Sequence, residues 1–301
     1  MARVSRGTST GFGRFDASEP VDGPVRRFSA SYLAHTREGM WSDGREALAD
    51  CSLGDRDRAL DVGCGTGAFT RVLAEETPQD ATVIGVDADI GLLDVASDRY
   101  DPGDGSAPCR PQYVAGDATR LPVGDDAVDL AACQALLINL PSPAAAVREL
   151  VRASSDLVAA IEPNNAAVAV ASTVDRETTL EREARAAYLE GVGTDVALGD
   201  RVETLFEAAG LVDVRSRRYL HEKRTVPPYD DRSLESAARK ASGAGLDAHR
   251  EALRGALSAA DYDDLRRRWR AMGREVVAGM RDRDYERVEL VPFEVTVGRV
   301  R

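Results

Sequence analysis

Residues 59–69 read Ala59-Leu60-Asp61-Val62-Gly63-Cys64-Gly65-Thr66-Gly67-Ala68-Phe69. A short apolar strand runs here into three glycines at alternate positions, and a helical pattern follows from about Thr70 to Glu76. Glycine lets the backbone turn tightly and lets a ligand approach the main chain closely. The first amides of the following helix point at whatever binds there. The stretch therefore predicts a strand, a ligand-binding loop and a helix in succession.

The next hundred residues alternate between strand and helix patterns. The predicted strands are 58–62, 82–86, 111–115, 127–133 and 156–161, and the predicted helices are 70–76, 90–99 and 142–153. Such alternation implies right-handed crossovers and a parallel sheet that is covered by helices on both faces. We therefore expect an α/β fold with a doubly wound, Rossmann-like sheet.

The second half of the chain has a different pattern. It predicts helices at 178–191 and 200–209, a strand at 212–220, a long helical region at 233–280 and a closing strand at 289–300. Pro292 interrupts the closing strand and suits an edge or a bulge better than a central position. The last helix carries an amphipathic stripe, which we expect mainly to pack the helical lobe onto the core, with an apolar substrate surface as the alternative. Its members are Tyr262, Leu265, Trp269, Met272, Val276 and Met280.

These patterns predict four regions. They are a flexible segment at 1–24, N-terminal cap helices at 25–57, a core at 58–220 and 285–301, and a helical insertion at 221–284 that caps the substrate. Val226-Pro227-Pro228-Tyr229 is expected to be a rigid connector into the insertion. We expect substrate choice to depend on 25–50, 164–198 and 221–284, because ligands bind beside the carboxyl edge of such sheets. Tyr32 and Trp41 are the first aromatic candidates for a pocket lining.

Composition limits the class of protein. A net charge of −12 and the absence of clustered cations argue against a nucleic-acid partner. No apolar run is long enough to cross a membrane, and the polar segment 1–13 has no signal-peptide core. The four cysteines show no metal-ligand spacing and fit a reduced, cytoplasmic protein without a metal. They are Cys51, Cys64, Cys109 and Cys133.

Four short motifs occur in a characteristic order. They are Leu60-Asp61-Val62-Gly63-Cys64-Gly65-Thr66-Gly67, then Val86-Asp87, then Gly116-Asp117-Ala118-Thr119-Arg120-Leu121-Pro122, then Val128-Asp129-Leu130. In this order the region 59–164 resembles the class I S-adenosylmethionine-dependent methyltransferases, in particular the branch with the ubiquinone- and menaquinone-biosynthesis enzymes. The resemblance implies a seven-stranded sheet with an antiparallel last strand. It also implies S-adenosylmethionine as cofactor and methyl transfer to the oxygen, nitrogen or carbon of a small molecule.

The resemblance also implies a set of cofactor contacts. The glycine loop would lie against the methionine portion and the ribose, and Asp61 would help to receive the amino group. Asp87 ends the second strand about twenty residues past the loop, where such folds place an acid on the ribose hydroxyls. Asp117 would accept from the adenine amine. The expected contacts are Asp61, Gly63, Cys64, Gly65, Gly67, Asp87, Ala88, Asp117, Ala118 and Gln134.

Each carboxylate also has a structural interpretation. Asp61 suits a helix N-terminus, where the dipole stabilises an acid. Asp87 suits an N-cap for the helix that begins near Ile90. Asp117 lies in a loop, where aspartate commonly supports a turn.

Two other functions remain open. Gly63-x-Gly65-x-x-Ala68 formally fits the fingerprint of a nicotinamide-dependent oxidoreductase, although Gly67 comes one position early for it. A protein that binds S-adenosylmethionine without catalysis is the second alternative.

The sequence assigns no catalytic base. A base is needed only if the acceptor must lose a proton, and the candidates are His35, His221 and Glu162. The histidines are more consistent with structural or solvated roles. Glu162 is followed by Pro163 and also suits a residue that shapes the turn.

Overall fold

The computed structural model describes residues 29–30, 33, 39–99 and 109–301, and over these ranges eight strands form one sheet. The predicted flexible segment 1–24, Tyr32 and His35 lie outside the described residues. The strands are β1 (Arg58–Val62), β2 (Thr82–Asp87), β3 (Gln112–Ala115), β4 (Val128–Gln134), β5 (Ser154–Pro163), β6 (Ala169–Ser172), β7 (Val212–Thr225) and β8 (Arg287–Arg299).

The strand order confirms the predicted α/β fold. The strands β3, β2, β1, β4 and β5 lie side by side and are parallel. The last strand, β8, is antiparallel to β5 and lies between β5 and β7. Four residues of β6 continue along the same side of β8, past the end of β5, and form an additional short strand that the sequence pattern did not indicate.

The expectation that Pro292 lies at an edge or a bulge is wrong, because β8 is an interior strand. Pro292 faces Leu220 of β7, and its carbonyl accepts a 2.9 Å hydrogen bond from the amide of Asn164. In an antiparallel ladder the N and the C=O of one residue point to the same side. The nitrogen of Pro292 therefore points at the interval between Pro163 and Ala169, where β5 has ended and β6 has not begun. An interior proline is tolerated because this interval needs no N–H donor.

Helices cover both faces of the sheet and form the lobe beside it. The helices are α1 (Met40–Asp43), α2 (Ala68–Glu76), α3 (Ile90–Asp98), α4 (Pro143–Ala153), α5 (Asp175–Gly191), α6 (Val202–Ala208), α7 (Asp231–Ser242), α8 (Ala244–Asp247), α9 (Arg250–Ala256) and α10 (Ala259–Asp282). Short 3-10 helices occupy Arg45–Cys51, Leu53–Asp55, Leu137–Asn139, Asn165–Ala167 and Leu198–Arg201. None of the described helices is long and apolar enough to cross a membrane.

The lobe has an apolar core of its own, which α5 and the helices α7 to α10 build together. All six members of the amphipathic stripe of α10 are buried, but in this separate core of the lobe, so the expectation that the stripe packs the lobe onto the sheet core is wrong. The helix α5 shares this core, although the sequence division placed it in the sheet domain, and β7 continues to Thr225, past the predicted boundary at residue 220. The segment 226–230 joins β7 to α7, and its Pro227–Pro228 peptide bond is cis.

Candidate functional site

The glycine loop follows β1 at the carboxyl edge of the sheet. Gly63, Gly65 and Gly67 have φ angles of 71°, 56° and 75°, in the left-handed region that favours glycine. The amides of Gly63 and Cys64 donate to the carbonyl of Val86 over 2.7 and 3.0 Å. The loop is therefore held to the end of the neighbouring strand β2, with its backbone on the edge where ligands of such sheets bind.

Close packing adds a second requirement for glycine in this loop. A Cβ atom at Gly67 would lie 2.5 Å from the hydroxyl oxygen of Tyr113 and 3.1 Å from Cβ of Ala96. A Cβ atom at Gly63 would lie 2.7 Å from Cδ1 of Leu136. These side chains come from other parts of the fold, so a Cβ atom at Gly63 or Gly67 would have to displace one of them.

Asp87 connects the loop to the start of α3. Its Oδ2 accepts from the amide of Gly65 over 2.8 Å, and its Oδ1 accepts from the amide of Asp89 over 2.9 Å. The N-cap interpretation of Asp87 is wrong, because Asp89 caps α3 by accepting from the amides of Gly91 and Leu92. Asp87 is half-buried, whereas Ala88 beside it is exposed.

The side chains of Asp61, which precedes the loop, and Cys64, which is part of it, are both buried. Asp61 is 1% exposed, and its Oδ2 accepts from the hydroxyl of Thr70 in the first turn of α2 over 2.6 Å. This contact agrees with the helix-terminus interpretation. The Cys64 side chain is 1% exposed, and burial, together with the charges of Asp61 and Asp87, raises the pKa of its thiol. Only the main chain of Cys64 is therefore suited to meet a ligand.

Asp117 supports a turn, as its structural interpretation predicts. Its Oδ1 accepts from both the amide and the hydroxyl of Thr119, each over 2.7 Å. Asp117 is exposed and Ala118 is half-buried. The preceding Gly116 has a packing reason, since a Cβ atom there would lie 2.7 Å from Cδ of Pro122.

The fourth motif, 128–130, lies at the amino ends of the parallel strands, opposite to the edge that carries the glycine loop. Oδ2 of Asp129 in β4 accepts from the amide of Asp57 over 2.8 Å and from that of Arg58 over 3.2 Å, just before and at the start of β1. Asp129 therefore fixes the amino ends of two neighbouring strands and has a structural role.

Gln134 ends β4 under the N-terminal segment. It is 1% exposed, its Nε2 lies 2.9 Å from Sδ of Met40, and its Oε1 lies 3.4 Å from Nε1 of Trp41. Trp41 stacks on Phe69 of α2, with ring centroids 5.6 Å apart, and on Tyr219 of β7, at 6.3 Å. Trp41 is thus mostly buried between the glycine loop's helix and the last strands.

Glu162 is held by hydrogen bonds to the backbone. It is 0% exposed, and its Oε1 accepts from the amides of Leu136 and Leu137, each over 2.9 Å, while Oε2 accepts from that of Ile138 over 3.3 Å. The carboxylate fixes the chain that follows β4. Burial of the Cys133 thiol, together with the negative charge of Glu162, raises the pKa of that thiol well above its ordinary value.

A cavity of about 780 Å³ lies between this edge of the sheet and the helical lobe. Gln134 and Ala135 border it from the sheet, Leu33 from the N-terminal segment, and Trp269 from the lobe. Of the predicted cofactor contacts, Gln134 alone lines it, and Gly67 borders a separate cavity of about 470 Å³ together with Trp41. The glycine loop therefore does not border the large cavity, which reaches the sheet at the end of β4.

Residues 221–225 of β7 line the large cavity, and of these only His221 was a candidate from the sequence. Tyr219, His221 and Lys223 alternate along the strand, so their side chains lie on one face. The hydroxyl of Tyr219 donates to the carbonyl of Met40 over 2.9 Å, while His221 and Lys223 line the large cavity. The period-two pattern is present in the sequence, but it indicates a site only once β7 is placed beside the cavity.

Comparisons with known proteins agree with the predicted family. Residues 60–156 match the model of a methyltransferase domain. The chain is 30% identical over 139 residues to the demethylmenaquinone methyltransferases of Mycobacterium tuberculosis and Mycobacterium marinum. These matches cover 46% of this chain and 53% or 54% of the relatives, so the chain spans about half the length of the relatives it matches.

Solved structures resemble the chain over a longer range but at lower identity. The YcgJ protein of Bacillus subtilis is 16% identical with a TM-score of 0.49, over 85% of this chain and 99% of that one. A protein of Bacillus halodurans described as a putative methyltransferase is 15% identical with a TM-score of 0.49, over 86% and 100%. The domain match implies S-adenosylmethionine as the cofactor, in agreement with the sequence prediction. The segment 60–156 is therefore similar to a methyltransferase domain, which agrees with the resemblance to the class I S-adenosylmethionine-dependent methyltransferases that the sequence motifs indicate.

Proposed function

We propose that this protein transfers a methyl group from S-adenosylmethionine to a small-molecule acceptor. The observation that carries the proposal is the loop 63–67, whose left-handed glycines are tied to β2 and to the carboxylate of Asp87. The loop lies within the residues that match the methyltransferase domain.

The donor set fits the cofactor. A carboxylate has about four lone-pair sites, and the two described backbone amides on Asp87 leave capacity for the two hydroxyls of a ribose. We propose that Asp87 holds the ribose and that the backbone of Gly63, Gly65 and Gly67 lies against the ribose and methionine portions. Asp61, with Thr70, would supply negative charge near the amino group.

The adenine end would meet the neighbouring strand ends. We propose that exposed Ala88 contacts the ring and that Asp117 and the amide of Ala118 bind its polar edge. Oδ1 of Asp117 already accepts two hydrogen bonds from Thr119, so Oδ2 would accept the hydrogen bond from the adenine amine.

The acceptor would enter from the large cavity. Bound S-adenosylmethionine supplies a methyl group that its sulfonium makes electrophilic. The chain's task is then to hold the acceptor in line and to exclude water, and positioning of this kind lowers a bimolecular barrier by roughly 7–11 kcal/mol. Gln134 and Ala135 border the cavity at the end of β4, next to the strand end that carries the glycine loop, so we propose that the methyl group and the acceptor approach each other there.

Two measurements test the proposal. Calorimetry should show binding of S-adenosylhomocysteine, and S-adenosylhomocysteine rather than NADH should raise the melting temperature, because a ligand of the folded state stabilises it. Tritiated S-adenosylmethionine with a metabolite extract should then yield a labelled small molecule. Stabilisation by NADH alone contradicts the proposed cofactor, and cofactor binding without labelled product in any extract contradicts catalysis.

A further inference from the structure

We propose that the methyl acceptor carries an oxyanion, a carboxylate or a phosphate, that pairs with Lys223 and hydrogen-bonds to His221 in the large cavity. This inference rests on the proposed function, because it names the chemistry of that reaction's acceptor.

The charge of the cavity is opposite to that of the chain. The described residues that line it include seven Lys and Arg but four Asp and Glu, although the whole chain has a net charge of −12. Adding the buried Glu177, which pairs with Lys240 and Arg287 beneath the wall, still leaves a surplus of two positive charges. Enclosed positive charge in an acidic protein favours an anionic ligand.

Most cations of the wall already have carboxylate partners. Lys240 pairs with Glu177 and Glu181, and Arg287 pairs with Glu181 and Glu289. These two cations and three carboxylates form a network that joins the lobe to β8, so neither cation is available to a ligand.

Lys223 differs from these cations. It is half-buried on the cavity wall, and no carboxylate of the described residues lies within 4 Å of its ammonium group. Glu289 faces it across the strands, but the Glu289 carboxylate accepts from Nη2 of Arg287 over 2.5 Å. Burial is the main cause that lowers the pKa of Lys223; the charge of Glu289 opposes this shift, and the charge of Arg287 adds to it. A buried cation is normally paired, so Lys223 has the surroundings of a group that a bound anion completes.

His221 supplies a neighbouring polar group. Its side chain lies on the same face of β7 as that of Lys223, it is 3% exposed, and among the described residues its Nε2 has no hydrogen-bond partner. Buried polar atoms usually have a partner. A neutral imidazole offers one N–H donor, which suits an oxyanion held by the ammonium two residues away.

The location of the pair matches that of an acceptor. Tyr219 precedes His221 on the same face, with ring centroids 6.4 Å apart, and it stacks on Trp41, which contacts Gln134. A chain of contacts thus leads from Gln134 at the end of β4 through Trp41 and Tyr219 to His221. His221 and Lys223 lie on the cavity wall at the far end of this chain. An acceptor anchored at Lys223 would extend through the cavity toward the cofactor cleft.

Calorimetry on the full chain saturated with S-adenosylhomocysteine tests the pair directly. The probes are benzoate, inorganic phosphate and benzamide, the last being a neutral analogue of benzoate. We expect one anion to bind at least about tenfold more tightly than benzamide, and Lys223→Gln to remove about tenfold or more of that affinity without changing benzamide binding, as for a hydrogen bond to a charged group. Benzoate binding assigns a carboxylate, and phosphate binding a phosphate.

Arg239→Gln is the matched control, because Arg239 is an exposed cation on the wall of the same cavity. It should change the anion affinity by less than about twofold. This result would distinguish a direct ion pair between the anion and Lys223 from a general effect of the positive charge in the cavity. Nuclear magnetic resonance gives a second readout. The imidazole nitrogen resonances of His221 are assigned as those that are missing in His221→Gln, and the bound anion should shift them in the wild-type chain. Equal losses in both arginine and lysine variants, equal binding of benzoate and benzamide, or unmoved His221 resonances overturn the inference.

The same titrations without S-adenosylhomocysteine separate the two proposals. If the chain binds the nucleoside but shows no anion selectivity, the anionic acceptor is excluded and the methyltransferase proposal stands. If the anion binds through Lys223 but the nucleoside does not bind, the proposed function fails, and with it the assignment of this anion site to a methyl acceptor.

Discussion

Oδ2 of Asp87 accepts a 2.8 Å hydrogen bond from the amide of Gly65, twenty-two positions earlier in the chain. The other oxygen of the same carboxylate accepts from the amide of Asp89 at the entry of α3. One side chain thus fixes the loop after β1 and the turn after β2. A residue expected to bind the cofactor therefore also shapes the site that receives it.

Asp87→Asn should weaken the binding of S-adenosylhomocysteine about tenfold to a hundredfold. The amide keeps the size of the side chain but loses the charge and part of the acceptor capacity on which both the loop and the proposed ribose contact depend, and hydrogen bonds to charged groups contribute about 1.5–3 kcal/mol. Calorimetry measures the affinity. Asp94→Asn, an exposed acid on α3, is the control and should bind as the wild type does. Unchanged affinity in Asp87→Asn would show that neither role of the carboxylate matters for the nucleoside.

Gly67→Ala should lower the free energy of unfolding by about 2 kcal/mol or more. An L-residue at a φ of 75° is strained by about 1–2 kcal/mol, and the new methyl group would lie 2.5 Å from the hydroxyl of Tyr113. Adding Tyr113→Phe to Gly67→Ala removes the hydroxyl and should restore the part of the lost unfolding free energy that is due to this contact. Denaturant titration measures both.

Gly124→Ala is the control for this change, because Gly124 is exposed and nothing lies within 4 Å of its added Cβ. It should change the unfolding free energy by less than about 0.5 kcal/mol. An equally small effect of Gly67→Ala would contradict the requirement for glycine in the loop.

The sequence predicted the elements whose signals are local. Glycines at 63, 65 and 67 mark a turn wherever they occur, and the apolar runs of β4 and β5 indicate strands that are covered on both faces. The order of these signals was sufficient for the fold of the first half. The three acids at 61, 87 and 117 were found for the same reason, although their roles in binding the cofactor stay predictions.

Features that depend on distant parts of the chain were not predicted. The strand β7 reaches Thr225 because β8 pairs with it along its whole length, and no local pattern indicates that partner. Asp87 and Asp89 offer the same local signal for an N-cap, and only the backbone geometry selects Asp89. Nothing in the sequence distinguishes Lys223 from a surface lysine. Its half-buried position becomes evident only once the fold places the helical lobe beside β7.

Glu162→Gln should lower the free energy of unfolding by about 2 kcal/mol. The carboxylate accepts from three consecutive amides in a fully buried position, and an amide nitrogen facing one of those donors leaves it unsatisfied, at a cost of about 1–3 kcal/mol. Chemical denaturation measures the change, with Glu190→Gln on the exposed side of α5 as the control. If Glu162 were a catalytic base without this structural role, the substitution would leave stability unchanged and would lower the rate of methyl transfer by about 10²–10⁴-fold.

Protonation of His221 should make the fold less stable in mild acid. Burial is the main cause that lowers the pKa of His221 from 6.5 to about 4, and the charge of Lys223 adds to it, while Glu289 across the strands opposes it. Between these two values the unfolded chain binds the proton and the folded chain does not, so stability falls as the pH falls through this window. The expected loss from pH 7.5 to pH 4.5 is about 2 kcal/mol.

His221→Gln should make this part of the stability profile shallower, because the variant has no proton to take up on unfolding at this position. Denaturant titrations at intervals from pH 7.5 to pH 4.5 measure the slope, and most carboxylates titrate below this range. His249→Gln is the matched control, since His249 is exposed at the start of α9 and packs on Tyr188. It should keep the wild-type slope. Parallel profiles for the wild type and His221→Gln would mean that the imidazole takes up its proton equally in both states, which a ring that is 3% exposed and next to the ammonium of Lys223 should not do.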